Sequence, residues 1–228
     1  MLIATGLGAV AFAASLASAA PLTPALPPIV VTLDVAVDLP PLLLSLVQAE
    51  ADAIWRPTGM TFVWRRAPRA TANAIAAGTG DPCPELSTGL RVVIGDERGR
   101  SPADQVALGW IVFDENDAPA REIYVSHRNV MDFMIGARGA VPPISQMPLA
   151  EQNLKLGRAM GRALAHEMGH YFLASKAHAR RGLMQATHTS AAFFDIDRSS
   201  FAIDKAMRQE LVARLRPEPL TASAQPGK

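Results

Sequence analysis

The chain has 228 residues, with 22 Lys and Arg against 21 Asp and Glu, a formal net charge of +1, and one cysteine. That length suits a single hydrophobic core, the even charge balance lacks the concentrated basic face a nucleic-acid binder needs, and a lone cysteine excludes an internal disulfide. With 49% of residues hydrophobic, a sizeable interior is expected.

Residues 2–20 carry no charge and end in Ala17-Ser18-Ala19. Small residues of this kind mark the cleavage site of export signals, so residues 1–19 are expected to be a signal peptide and the mature protein to be secreted or periplasmic. No stable membrane association is expected after cleavage. Alanine, glycine and serine dominate the stretch, whereas a spanning helix usually needs about 20 predominantly apolar residues.

Val31, Leu33, Val35 and Val37 alternate with Thr32, Asp34, Ala36 and Asp38, the period-two pattern of a half-buried strand. A helix over 42–56 follows and stops at Pro57-Thr58-Gly59, because proline disfavours helical geometry in the residue before it and glycine permits the reversal. Residues 60–65 read as a second strand. Cys83 stands between prolines in Asp81-Pro82-Cys83-Pro84 and reads as a surface thiol. Three short apolar runs, 90–94, 107–113 and 122–125, are bounded by turn residues such as Asp96, Gly99, Pro102 and the stretch 114–119, and are expected to be strands.

Residues 149–173 read as one long helix containing His166-Glu167-Met168-Gly169-His170, an HExxH motif. Positions i and i+4 of a helix lie one above the other, so both imidazoles can reach one metal ion. Glu167 sits beside that pair, where it can take a proton from a water that the metal has made acidic. In 100° steps Leu156, Met160, Leu164, Met168, Tyr171 and Phe172 form an apolar arc, and Lys155, Arg158, Arg162 and Gly169 share the other side. His166 and His170 fall on the seam between the two. A packed core histidine belongs in the middle of the apolar arc, whereas a ligand must face a cleft.

Catalytic zinc takes three protein ligands and keeps a fourth position open. His178, eight residues after His170 and beyond a plausible turn at 174–177, is the first choice for the third. His188 is the competitor, and Asp195, Asp197 and Glu210 are carboxylate alternatives. His127, after a strand, reads as surface polarity or a helix-start residue.

After His178 comes Gly182-Leu183-Met184. A zinc helix followed by a third histidine and a tight turn carrying methionine resembles the metzincin clan of metallopeptidases, which includes the matrixins and astacins. The resemblance implies an α+β domain over residues 20–215: a mixed, twisted sheet of four to five strands, a backing helix, an active-site helix and a C-terminal helix. It implies Zn2+ as cofactor and Met184 as the Met-turn residue, lying under the metal without binding it; the alternative reading is a methionine filling a core gap. The usual motif, HExxHxxGxxH, would need glycine at 173 and a ligand at 176, where this chain has Leu173 and Lys176. The third ligand therefore comes two residues later, which makes the chain at best a divergent branch.

In metzincins the strand before the last is an edge to which peptide substrate adds. The matching segment is 107–112, with Gly109, Trp110 and Ile111 as substrate-binding residues; the alternative is an interior strand with Gly109 at a bulge. Neither Tyr124 nor Tyr171 stands out as an oxyanion donor. Ser199 or Ser200 is expected to cap a helix over 201–215 that packs beneath the metal site, and residues 216–228, rich in proline and small polar residues, to be disordered. The function expected is an exported, monomeric zinc endopeptidase acting on peptide or protein substrates with Glu167 as general base. The alternative is an exported binding or structural module that retains the fold without catalysis.

Overall fold

The computed structural model describes residues 28–68, 89–96 and 107–215. The expected signal peptide, Cys83 and the C-terminal tail lie outside the described residues. Among the described residues five strands form one mixed sheet: β1 (Ile29–Val35), β2 (Phe62–Arg66), β3 (Leu90–Gly95), β4 (Gly109–Phe113) and β5 (Pro119–Ser126). Their spatial order is β2-β1-β3-β5-β4. β1 pairs in parallel with β2 and β3, and β3 with β5, while β4 runs antiparallel to β5. This is the expected α+β architecture.

The period-two pattern decides which face is buried. Val31, Leu33, Leu90, Val92, Ile94, Ile123 and Val125 are all buried in the core. Over that side run α1 (Pro41–Trp55) and α3 (Leu149–Leu173), which pack on each other. Two glycines of α3 bring them close: a Cβ on Gly157 would stand 2.5 Å from Leu46 Cβ, and one on Gly161 2.6 Å from Glu50 Cβ. α1 begins with Pro41, whose fixed φ suits the first turn, and Gly59 takes the left-handed φ of 82° that reverses the chain after it.

Two short helices went unread in the sequence. α2 (His127–Gly136) begins directly after β5, with the Ser126 side chain accepting from Asn129 N as its N-cap, so His127 is a helix-start residue. α4 (Ser190–Phe194) is capped by Thr189. The last helix, α5 (Lys205–Leu215), starts later than the serines suggested. Ser199–Phe201 forms a separate 3-10 turn, and the carboxylate of Asp204, accepting from Met207 N at 2.9 Å, caps the helix instead. α5 lies against α3 and buries Leu211.

Arg162, on the side of α3 opposite the apolar arc, does not face water. Arg162 is fully buried. Its Nε donates to Glu50 Oε1 at 2.8 Å, its two terminal nitrogens donate to the carbonyls of Ala192 and Asp197, and its guanidinium lies 5.0 Å from the Phe201 ring centre. Arg198 binds the second Glu50 oxygen at 2.7 Å. The segment after the metal motif is thereby tied to both central helices, so α3 is covered on both arcs. No helix among the described residues is long and apolar enough to cross a membrane.

Candidate metal centre

α3 carries His166 and His170 one turn apart, and their Nε2 atoms stand 3.1 Å from each other. Each ring is aimed by a backbone carbonyl. His166 Nδ1 bonds Leu183 O at 2.8 Å and His170 Nδ1 bonds Ser175 O at 2.7 Å. A carbonyl only accepts, so both Nδ1 atoms carry the proton and both Nε2 atoms present lone pairs to each other. Two facing lone pairs repel unless a cation stands between them. For a tetrahedral ion with Zn–N near 2.05 Å the expected N···N distance is roughly 3.3 Å.

The loop after α3 supplies the third imidazole. The helix ends on Ala174, which adopts φ 42°, ψ 51°, a left-handed conformation unusual for a residue with a Cβ. This reversal brings Ser175 O back to His170 and sends the chain toward His178. The ligating atoms of His166, His170 and His178 all lie within 4.8 Å of one another. Among the described residues the structure brings His178 to the pair and leaves His188 elsewhere, stacked on Phe201 with ring centres 4.2 Å apart. The Asp195 carboxylate accepts from Asp197 N and that of Asp197 from Ser199, while Glu210 is an exposed residue of α5.

Met184 is buried directly beneath the motif. A Cβ on Gly169 would collide with Met184 Sδ, so the glycine between the two histidines is what lets the sulfur approach. Gly182, with φ 77°, opens the turn, and Gln185 N closes it on Gly182 O at 3.0 Å.

Burial pushes His166 down to about 4 and lowers His170 as well, each opposed by its carbonyl bond, so both rings are neutral at pH 7 as ligation requires. Burial pushes the Glu167 carboxyl up to about 8, and a cation held by the histidines would act in the opposite direction. Three imidazoles, two of them neutral and pre-aimed, form a donor set that suits zinc and related transition ions.

β4 is the edge strand, paired on one side with β5, and its irregularity falls between Ile111 and Phe113 rather than at Gly109. Gly109, on the side facing α3, lies against Glu167, and Phe113 meets the His170 ring edge-on at 6.5 Å. Trp110 points to the other face of the sheet, where it stacks on Tyr124 at 5.2 Å. Its side chain is therefore remote from the histidines. Lys176, two residues before His178, pairs with Asp117 of the β4–β5 turn and lies 5.2 Å from the Phe113 ring centre.

The residues missed in the sequence are Leu183 and Ser175. Both act through main-chain oxygens, for which side-chain pattern carries no signal.

No protein-family model matches the chain, and no curated protein matches it. Among solved structures the fold is similar to archaemetzincin from Methanopyrus kandleri, with a TM-score of 0.49 and 17% sequence identity over 82% of this chain and 96% of that one.

Proposed function

We propose that the chain is a zinc-dependent peptidase of metzincin-like type, with His166, His170 and His178 as ligands and Glu167 as general base. The observation that carries this reading is the 3.1 Å approach of two Nε2 lone pairs whose Nδ1 protons are both committed to carbonyls. A core histidine pair has no reason to converge so. When bound, zinc supplies Lewis-acid polarisation of a carbonyl oxygen and acidifies water.

The chain's own residues do the rest. Glu167 accepts a proton from the attacking water as its oxygen bonds to the scissile carbonyl carbon. It returns that proton to the amide nitrogen as the C–N bond breaks, so that a carboxylic acid and an amine leave. Its buried seat keeps bulk water from competing for the proton. The outer edge of β4 offers main-chain donors and acceptors to an extended peptide. Gly109, Trp110 and Ile111 contribute there through the backbone, and the side chain of Trp110 takes no part. Met184 supports the histidine pair from below without donating to the metal.

Export through residues 1–19 and a monomeric state belong to the same reading. The test is direct. Purified protein carries about one zinc per chain and cleaves an unstructured protein such as casein, and Glu167→Gln keeps the zinc and loses cleavage. Full zinc occupancy in the wild type with no hydrolysis of casein or of a broad peptide library would point instead to a binding module.

A further inference from the structure

His166 and His170 stand on a helix and are each aimed by a carbonyl, whereas His178 stands on a loop whose residues 176–180 are exposed. Downstream of His178 the loop is fixed where Ala179 N donates to Met184 O at 2.7 Å. Upstream it is fixed by Lys176. The Lys176 ammonium donates to Asp117 Oδ1, 59 positions earlier in the chain, and stands 5.2 Å from the centre of the Phe113 ring.

The far end of this link is ordered by its own turn. Asp114 Oδ1 accepts from the amides of Asn116 and Ala118 at 2.8 and 2.9 Å, and Asp117 N donates to Asp114 O at 3.1 Å. Asp117 is held there in a left-handed conformation with φ 59°. Phe113 is the last residue of β4, and its ring meets His170 edge-on. One ammonium thus joins the end of the edge strand and the turn after it to the loop that carries Ser175 O and His178.

We infer that Lys176 is a positioning residue for the metal centre: by gripping Asp117 and Phe113 it holds residues 175–178 in the conformation that presents the third ligand. The assignment rests on the proposed metal site. A ligand on a loop contributes its full share only when the loop is already in the bound conformation, because ordering it on binding detracts from affinity. An exposed ion pair alone is weak. Here a cation–ring contact adds to it, and the carboxylate end loses little freedom because its turn is already built.

Lys176→Met keeps an unbranched stem and removes the charge. Asp117→Asn suits the left-handed backbone, which asparagine tolerates. Zinc affinity of the full chain, measured at low salt by competition with a chromophoric chelator, is expected to fall about 3- to 5-fold in each. The double variant is expected to lose little more than Lys176→Met alone, because the same link is removed in both. Lys176→Arg, which keeps a cation for both partners, is expected to retain most of the affinity, and high salt to shrink the difference between Lys176→Met and wild type. The melting temperature of each zinc-stripped variant is expected to stay close to that of the stripped wild type. Unchanged affinity in Lys176→Met, or losses that add in the double variant, would overturn the assignment.

Amide exchange across residues 175–178 of zinc-stripped protein reads the same link without the metal. Faster exchange in Lys176→Met than in wild type supports it, and equal rates overturn it. Wild type that takes up no zinc would sink the metal site itself, while the exchange rates would still decide whether Lys176 holds the loop.

Discussion

The backbone of Gly109 lies against the side chain of Glu167: a Cβ at position 109 would stand 3.1 Å from Glu167 Cγ and 3.0 Å from the carbonyl oxygen of Tyr124. The edge strand and Glu167 are thus in contact, and an added Cβ would require both neighbours to give by a few tenths of an ångström. Both neighbours are crowded at once, so a methyl group cannot be relieved by moving one of them. Gly109→Ala is expected to displace the Glu167 carboxylate and lower kcat by about 10- to 100-fold, the scale of a misplacement near 1 Å. Zinc content should remain at the wild-type level. Equal kcat in the two proteins would show that Glu167 is not positioned by this contact.

Glu167 also gives the fold a pH dependence. Its carboxyl is pushed from 4.5 up to about 8 by burial, so the folded state holds a proton that the unfolded chain releases. The resulting stability is complete below pH 4.5 and is lost as pH rises through 8. In zinc-stripped protein at pH 7, Glu167→Gln should therefore be more stable than wild type by about 3 kcal/mol. At pH 4 the two should coincide. Restored zinc should shrink the difference, because a nearby cation favours the carboxylate. Urea denaturation at the two pH values, with and without zinc, checks each part.

Arg162 joins α1, α3 and the segment after the Met184 turn through one buried guanidinium. Arg162→Met leaves Glu50 with Arg198 as its remaining cationic partner and leaves the carbonyls of Ala192 and Asp197 without their donor. Breaking a buried pair from one side costs about 3–5 kcal/mol, and the surviving Arg198 contact places the expected loss near the lower figure. Chemical denaturation measures it. A loss below about 1 kcal/mol would mean that water replaces the guanidinium.

Much of the site was legible because it is local. His166, Glu167 and His170 are fixed by helical spacing, and His178 and Met184 follow within one loop of them. The strand at the start of the 31–38 alternation and the full extent of α3 were readable for the same reason, although β1 ends at Val35 and the pattern runs three residues beyond it. What stayed hidden depends on contacts far apart in sequence or on the main chain. The burial of Arg162 had no signal in the helix pattern, because its partner Glu50 stands 112 positions earlier. The orienting oxygens of Leu183 and Ser175 have no side-chain signature. Ser199 and Ser200 drew the start of α5 too early, because Asp204 supplies the cap that the helix uses.

Ala174 ends α3 in a left-handed conformation with φ 42°. A Cβ there costs roughly 1–2 kcal/mol, and glycine would remove that strain at some entropic cost of its own. Ala174→Gly is expected to raise stability by about 1 kcal/mol and leave zinc content unchanged, since Ser175 O keeps its bond to His170. Thermal unfolding of the zinc-stripped protein reads the gain. A destabilised variant would show that the reversal is not strained.

The most direct measurement is elemental analysis of freshly purified protein beside His166→Ala, His170→Ala, His178→Ala and His188→Ala. About one zinc per chain is expected in the wild type, with the ion lost from the first three variants and retained in His188→Ala. Wild-type protein that contains no transition metal and takes none up on dialysis against zinc would contradict the convergence of His166 and His170 on a cation. Retention by His178→Ala with loss from His188→Ala would contradict the third ligand.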